Sequence, residues 1–137
     1  MIRFFGGRVM TLANGIETQD IEVWTEGSKI VFVGKPKAEE LDGKVFEREY
    51  DLKGNLLMPS FKNAHTHSAM TFLRSYADDM PLQDWLFKQI FPMEAKLDGE
   101  KVYWLTKLAI LEYLTTGCTA AFDMYFELDD YVKACTE

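Results

Sequence analysis

Apolar positions in the first 58 residues come in short runs separated by turn residues. Arg8-Val9-Met10-Thr11-Leu12, Ile21-Glu22-Val23-Trp24 and Lys29-Ile30-Val31-Phe32-Val33 are punctuated by Asn14-Gly15, Glu26-Gly27 and Gly34, the spacing of strands joined by tight turns. This pattern predicts a small antiparallel meander. The stretch 35–44 is charged and carries Pro36 and Gly43, so a solvated loop is expected there, with a further strand at about 45–52. Phe4, Phe5, Trp24 and Phe32 are expected on the inner face of this β domain.

The character changes at Leu56-Leu57-Met58-Pro59-Ser60-Phe61, a continuous apolar run of the kind a parallel strand buried on both faces produces. Two helical patterns follow. Leu82, Trp85, Leu86 and Ile90 recur at helical spacing behind Pro81, in a helix expected to end at Phe91-Pro92. Val102, Leu105, Leu108, Ala109 and Leu111 do so between Asp98 and Gly117. Cys118-Thr119-Ala120-Ala121-Phe122 reads as a second buried strand, and another helix begins near 128–135. The order βαβα implies parallel pairing and an α/β class. Residues 1–57 and 58–137 are therefore expected to be separate domains.

Composition narrows the class without naming a function. A chain of 137 residues that is 47% hydrophobic can bury a core. Its net charge of -7 disfavours nucleic acid and anionic membranes as partners and fits a small uncharged or cationic molecule. Cys118 and Cys135 are too few for a disulfide scaffold. The N-terminus lacks a long apolar signal region, and no apolar run approaches the roughly 18 residues of a membrane span. A cytoplasmic location is the expectation.

The candidate chemistry centres on His65-Thr66-His67. Residues two apart on a strand face the same way, so both imidazoles can reach one metal ion. An isolated His-x-His is more often structural, but this pair follows an apolar strand pattern, and α/β barrels carry their sites at the C-terminal ends of strands. Zinc, iron and nickel all accept imidazole, which leaves the metal's identity open. Adjacent Asp78 and Asp79 diverge, and Asp79 is expected to cap the following helix. Asp123, at a strand end, is as well explained by a structural role. Spacing alone makes Glu94 an exposed charge, and it leaves Trp85 equally a core residue or a pocket wall.

Asp51-Leu52-Lys53-Gly54 and Leu57-Met58-Pro59-Ser60-Phe61-Lys62-Asn63-Ala64-His65-Thr66-His67 resemble the entry to the first barrel strand of the amidohydrolase superfamily. Ala69-Met70-Thr71-Phe72-Leu73-Arg74, Tyr76-Ala77-Asp78-Asp79, Leu82-Gln83-Asp84-Trp85-Leu86 and Phe91-Pro92-Met93-Glu94 extend the likeness to its 5'-methylthioadenosine/S-adenosylhomocysteine deaminase branch and chlorohydrolase relatives. Two positions depart from that pattern. Ser60 stands where glycine is usual and is expected to strain the turn; Lys62 replaces an apolar residue and is expected to disturb strand packing.

The resemblance implies a TIM-barrel metal-dependent hydrolase with a small β-sandwich domain, of which this chain is the N-terminal part. It assigns His65 and His67 to one divalent metal, zinc first, and Glu94 to the ribose hydroxyls of an adenosine-type nucleoside, with Trp85 against the purine. The implied reaction is hydrolytic deamination by metal-activated water. The remaining metal ligands and the proton-transfer group fall outside the chain, so no catalytic residue is expected within it. By itself it is expected to be inactive without the remaining barrel. Guanine deamination, triazine dechlorination and a non-enzymatic metal- or partner-binding module are the rival readings. Monomer and homo-oligomer stay open.

Overall fold

Residues 1–13 and 15–137 are described by a computed structural model; Asn14, and with it the expected Asn14-Gly15 turn, lies outside the described residues. Two compact units, Met1–Pro59 and Ser60–Glu137, make up the chain. Each has its own sheets and its own buried side chains.

The first unit holds β1 (Ile2–Phe5), β2 (Arg8–Thr11), β3 (Glu17–Gln19), β4 (Glu22–Glu26), β5 (Lys29–Gly34), α1 (Ala38–Leu41), β6 (Arg48–Asp51) and β7 (Leu56–Leu57). They form a four-stranded sheet in the order β5-β4-β1-β6 and a three-stranded sheet in the order β3-β2-β7. The expected all-antiparallel meander is corrected on this point. β4 and β5 do form an antiparallel hairpin, turned at Gly27 with φ 55°, but β1 pairs parallel to β6 and β2 parallel to β7. Parallel partners far apart in sequence leave no periodic signature between them. The expected loop at 35–44 contains one helical turn, α1, because the Glu40 carboxylate accepts from the Lys37 backbone N–H at 2.7 Å.

The aromatic cluster expected on one face is split across two. Strand alternation in β1 sends Phe4 and Phe5 to opposite sides. Trp24 stacks on Phe32 at 4.2 Å and meets Phe46 edge-on, while the Arg3 guanidinium sits over Phe5 and Phe46. On the other side Phe4, Val9, Val23, Ile30 and Leu57 line an apolar space of about 550 Å³ between the two sheets.

In the second unit, β8 (Phe61–Thr66) and β9 (Cys118–Asp123) pair parallel, with Phe61 opposite Cys118 and Thr66 opposite Asp123. The apolar run from Leu56 is thus not one strand. Leu56-Leu57 belongs to β7 and Phe61 begins β8, with Pro59, which has no N–H to donate to a ladder, between them. Nor is β9 buried along its length: Phe122 is 79% exposed, because a two-stranded sheet leaves its faces open. Ser60 has no positive φ, so the expected strain is absent.

Between the strands run a 3-10 helix (Ser68–Leu73), α2 (Leu82–Asp84), a π-helical segment (Trp85–Ile90), α3 (Phe91–Glu94) and α4 (Gly99–Thr115); α5 (Leu128–Thr136) follows β9. Residues 82–94 are one continuous helical stretch, so Pro92 does not end the helix as expected. The Phe91 N–H reaches five residues back to Leu86 O, and Pro92 then falls in the first turn of α3, where its missing N–H is tolerated. Pro81, not Asp79, occupies the cap position of α2, and Asp79 takes a left-handed conformation instead. α4 begins where Asp98 accepts from Lys101 N at 3.0 Å and is followed by Gly117, with φ 81°. Its buried stripe is Val102, Thr106 and Ala109, whereas Leu108 and Leu111, part of the same helical pattern, are exposed. Among the described residues no helix is long and apolar enough to cross a membrane.

Candidate functional site

Parallel pairing of β8 and β9 brings their C-terminal ends together. The Met124 N–H donates to Thr66 O at 3.2 Å, which sets the turn after β9 beside the turn after β8. His65 lies in β8 and His67 just beyond it, at the start of the 3-10 helix. Their rings meet edge to face with centroids 5.1 Å apart. The same-side placement expected from the strand period is therefore present at the strand end.

The orientation of His67 follows from its neighbour. Its Nδ1 is 2.8 Å from the Met124 carbonyl oxygen. A carbonyl can only accept, so Nδ1 carries a hydrogen, and in the neutral ring that leaves the lone pair on Nε2. This is the arrangement by which a second partner fixes the tautomer of a metal-binding imidazole. Ser68, next in sequence, is buried and donates its N–H to both Asp123 oxygens at 3.2 Å. Asp123 thus holds the turn that carries His67.

A cavity of about 290 Å³ opens against this strand end, lined by His67, Met70, Trp85, Glu94, Tyr125 and Phe126 among others. Three of the four residues singled out in the sequence, His67, Trp85 and Glu94, share its wall, and the fourth, His65, stands beside His67. Trp85 begins the π segment and Glu94 ends α3, so the continuous helix carries both to the same cavity. Glu94 is half-buried, not a fully exposed surface charge, and also borders a second space of about 490 Å³ with Phe91 and Phe126. The Tyr125 hydroxyl is buried with no partner in hydrogen-bonding geometry. Burial first, and the Glu94 carboxylate second, push that phenol well above the usual tyrosine range.

The donors suit part of a divalent-metal site. Two imidazoles meet edge to face, and a backbone carbonyl engages Nδ1 of one of them, leaving its Nε2 available. Among the described residues no group of three or more His, Cys, Asp or Glu side chains is placed to hold a metal ion, and the pair falls short of the three protein ligands typical of catalytic zinc. Sequence reasoning missed Met124, which acts through its backbone and has no side-chain signal. It also missed Tyr125; its place directly after a strand end was the available clue.

The Amidohydrolase family profile matches residues 56–137, more than half of the chain. The chain belongs to the amidohydrolase family. It is 43% identical over 116 residues to the 5-methylthioadenosine/S-adenosylhomocysteine deaminase of Desulfitobacterium hafniense, a match covering 85% of this chain and 27% of that protein. It is 55% identical over 87 residues to the 5'-deoxyadenosine deaminase of Methanospirillum hungatei JF-1, covering 64% of this chain and 19% of the relative. An adenosine deaminase from Xanthomonas campestris, solved with zinc bound, superposes with a TM-score of 0.89 at 33% identity over 97% of this chain and 30% of that one. The chain spans about a quarter of the length of such relatives. The amidohydrolase resemblance read from the motifs between Asp51 and Glu94 is thereby established.

Proposed function

We propose that this chain supplies the first metal-binding and substrate-binding groups of a hydrolytic deaminase acting on adenosine-type nucleosides such as 5'-methylthioadenosine and S-adenosylhomocysteine. The observation that carries the proposal is the wall shared by His67, Trp85 and Glu94, with His65 beside His67 and Met124 fixing the tautomer. In this reading residues 1–57 are part of a β-sandwich domain and residues 58–137 are the first two β/α units of a TIM barrel. The deaminase names of the relatives support it.

His65 and His67 are the residues that would hold a divalent metal ion, zinc in the zinc-bound relative. Such an ion supplies Lewis-acid activation of water at neutral pH. Substrate binding in this reading falls to the chain's own groups. Glu94, a carboxylate acceptor, takes hydrogen bonds from the two ribose hydroxyls and sets the nucleoside's register. Trp85 lies along the purine and excludes water from one face. The further ligands and the proton-transfer group belong to barrel units beyond these 137 residues, so the chain alone does not turn over substrate.

A chimera tests this directly. Residues 1–137 are joined to the matching remainder of the Desulfitobacterium relative, and ammonia release is measured with 5'-methylthioadenosine, adenosine and guanine. The chimera is expected to deaminate the nucleosides, and the isolated chain to release none. Glu94→Gln is expected to raise KM for the nucleoside about 10-fold, the loss of a charge-assisted hydrogen bond worth about 1.5 kcal/mol. Turnover of guanine alone would refute the nucleoside assignment.

A further inference from the structure

We propose that Tyr113 is a positioning residue for the histidine pair, its hydroxyl tying together the residues on either side of His67. The inference rests on the reading of His65 and His67 as metal-holding groups. Tyr113 comes from α4, a 17-residue helix remote in sequence from the turn it touches. Its OH lies 2.5 Å from Thr66 Oγ1 and 2.8 Å from Ser68 Oγ. A phenol has one hydrogen to donate and lone pairs to accept with, so it can satisfy both hydroxyls at once. Phenylalanine could satisfy neither.

The rest of the turn shows why that link matters. Ser68 Oγ is in a residue only 3% exposed, and leaving such a hydroxyl without a partner is costly. Asp123 holds the Ser68 backbone, and Met124 holds the Thr66 carbonyl and the ring of His67 through its own backbone. Tyr113 is the side chain that joins β8, on the near side of His67, to the 3-10 helix on its far side. Neighbouring contacts reinforce the same docking: Thr71 Oγ1 donates to Leu105 O at 3.3 Å, and Arg74 pairs with Glu112, one residue before Tyr113. One face of α4 therefore grips the segment 66–74 along its length. Residues that hold ligand rings in place commonly change a metal's affinity by about 10–100-fold when removed, by letting those rings reorient.

The experiment uses the 137-residue chain and zinc chloride, read through the imidazole nitrogens by NMR. Only two histidines exist, so each signal is assignable. In the wild type His67 is expected in the Nδ1-protonated form, and both rings should shift on zinc addition. Tyr113→Phe is expected to weaken zinc binding about 10-fold and to spread His67 between both tautomers, with helix content by circular dichroism unchanged. Should Tyr113→Phe lose its fold, Ser68→Ala and Thr66→Val carry the test, since each removes one arm of the bridge. A weaker affinity in these folded variants supports the inference. Wild-type affinity together with an unchanged His67 signal overturns it while leaving the histidine site standing. No response of either ring to zinc in the wild type overturns the site assignment itself, and the inference with it.

Discussion

Lys62 and Ser60, the two residues at which the chain departs from the pattern it resembles, are bonded to each other. Lys62 Nζ donates to Ser60 Oγ at 2.8 Å and to Thr119 Oγ1 at 3.2 Å, and the two hydroxyls are themselves hydrogen-bonded. A charge placed where an apolar side chain is usual thus finds neutral acceptors just ahead of its own strand and on β9. A different charge carries the first pH prediction. Arg3 donates to both Glu22 oxygens at 2.7 Å, and the Trp24 indole N–H adds a third bond. The Arg3 hydrogen bonds, opposed by burial, hold the Glu22 carboxyl below the usual range. A depressed folded pKa stabilises the fold above the unfolded value, about 4.3, and that contribution fades as pH falls through the folded value. Urea midpoints at pH 7 and pH 3 should therefore differ more for the wild type than for Glu22→Gln; equal differences would contradict the assignment. The Arg3–Glu22 and Lys62–Thr119 pairings were not visible in the sequence, because only the strand register brings those residues together. The His65 and His67 pair was visible, because its geometry depends on a two-residue spacing alone.

At the scale of elements, legibility followed the reach of the interactions. α4 was readable because its cap, its apolar positions and Gly117 are local signals, and Asp98→Ala is expected to cost about 1 kcal/mol in urea denaturation. A value near zero would mean that the Asp98 cap contributes nothing. The helix at 82–94 was readable only as far as Pro92, since a π turn that resets the hydrogen-bond ladder leaves no composition signal. Ile90, closing that turn, is 1% exposed. Ile90→Ala should cost about 2–5 kcal/mol through lost contacts and the cavity left behind, and a smaller loss would show that the turn closes over the gap. β1 and β3 went unread, the first broken by Arg3 and the second, Glu17–Gln19, wholly polar. Their partners supply the pairing that their own sequences do not announce. The same limit hid the parallel β1–β6 and β2–β7 pairs.

At the scale of the molecule, apolar side chains stand open in both units. In the first unit Leu12, Ile16 and Ile30 are exposed, and in the second Phe61, Trp104 and Phe122 are. Uncovered strands and helix faces of this kind bind other apolar surfaces. The isolated chain is expected to bind the dye ANS strongly, and the chimera with the relative's remaining units to bind it several-fold less; equal binding would mean that those units do not cover these faces. The α/β class and the amidohydrolase kinship were legible because the motifs between Asp51 and Glu94 sit in one continuous stretch. In the proposed reading, further barrel units supply the groups that complete a metal's ligand set. The central claim is that His65 and His67 together hold the metal, and X-ray absorption at the zinc edge of the zinc-loaded chain tests it most directly. The account predicts back-scattering from two imidazole rings, lost in His65→Ala/His67→Ala; zinc bound without imidazole, or held by a cysteine thiolate in its place, would contradict it.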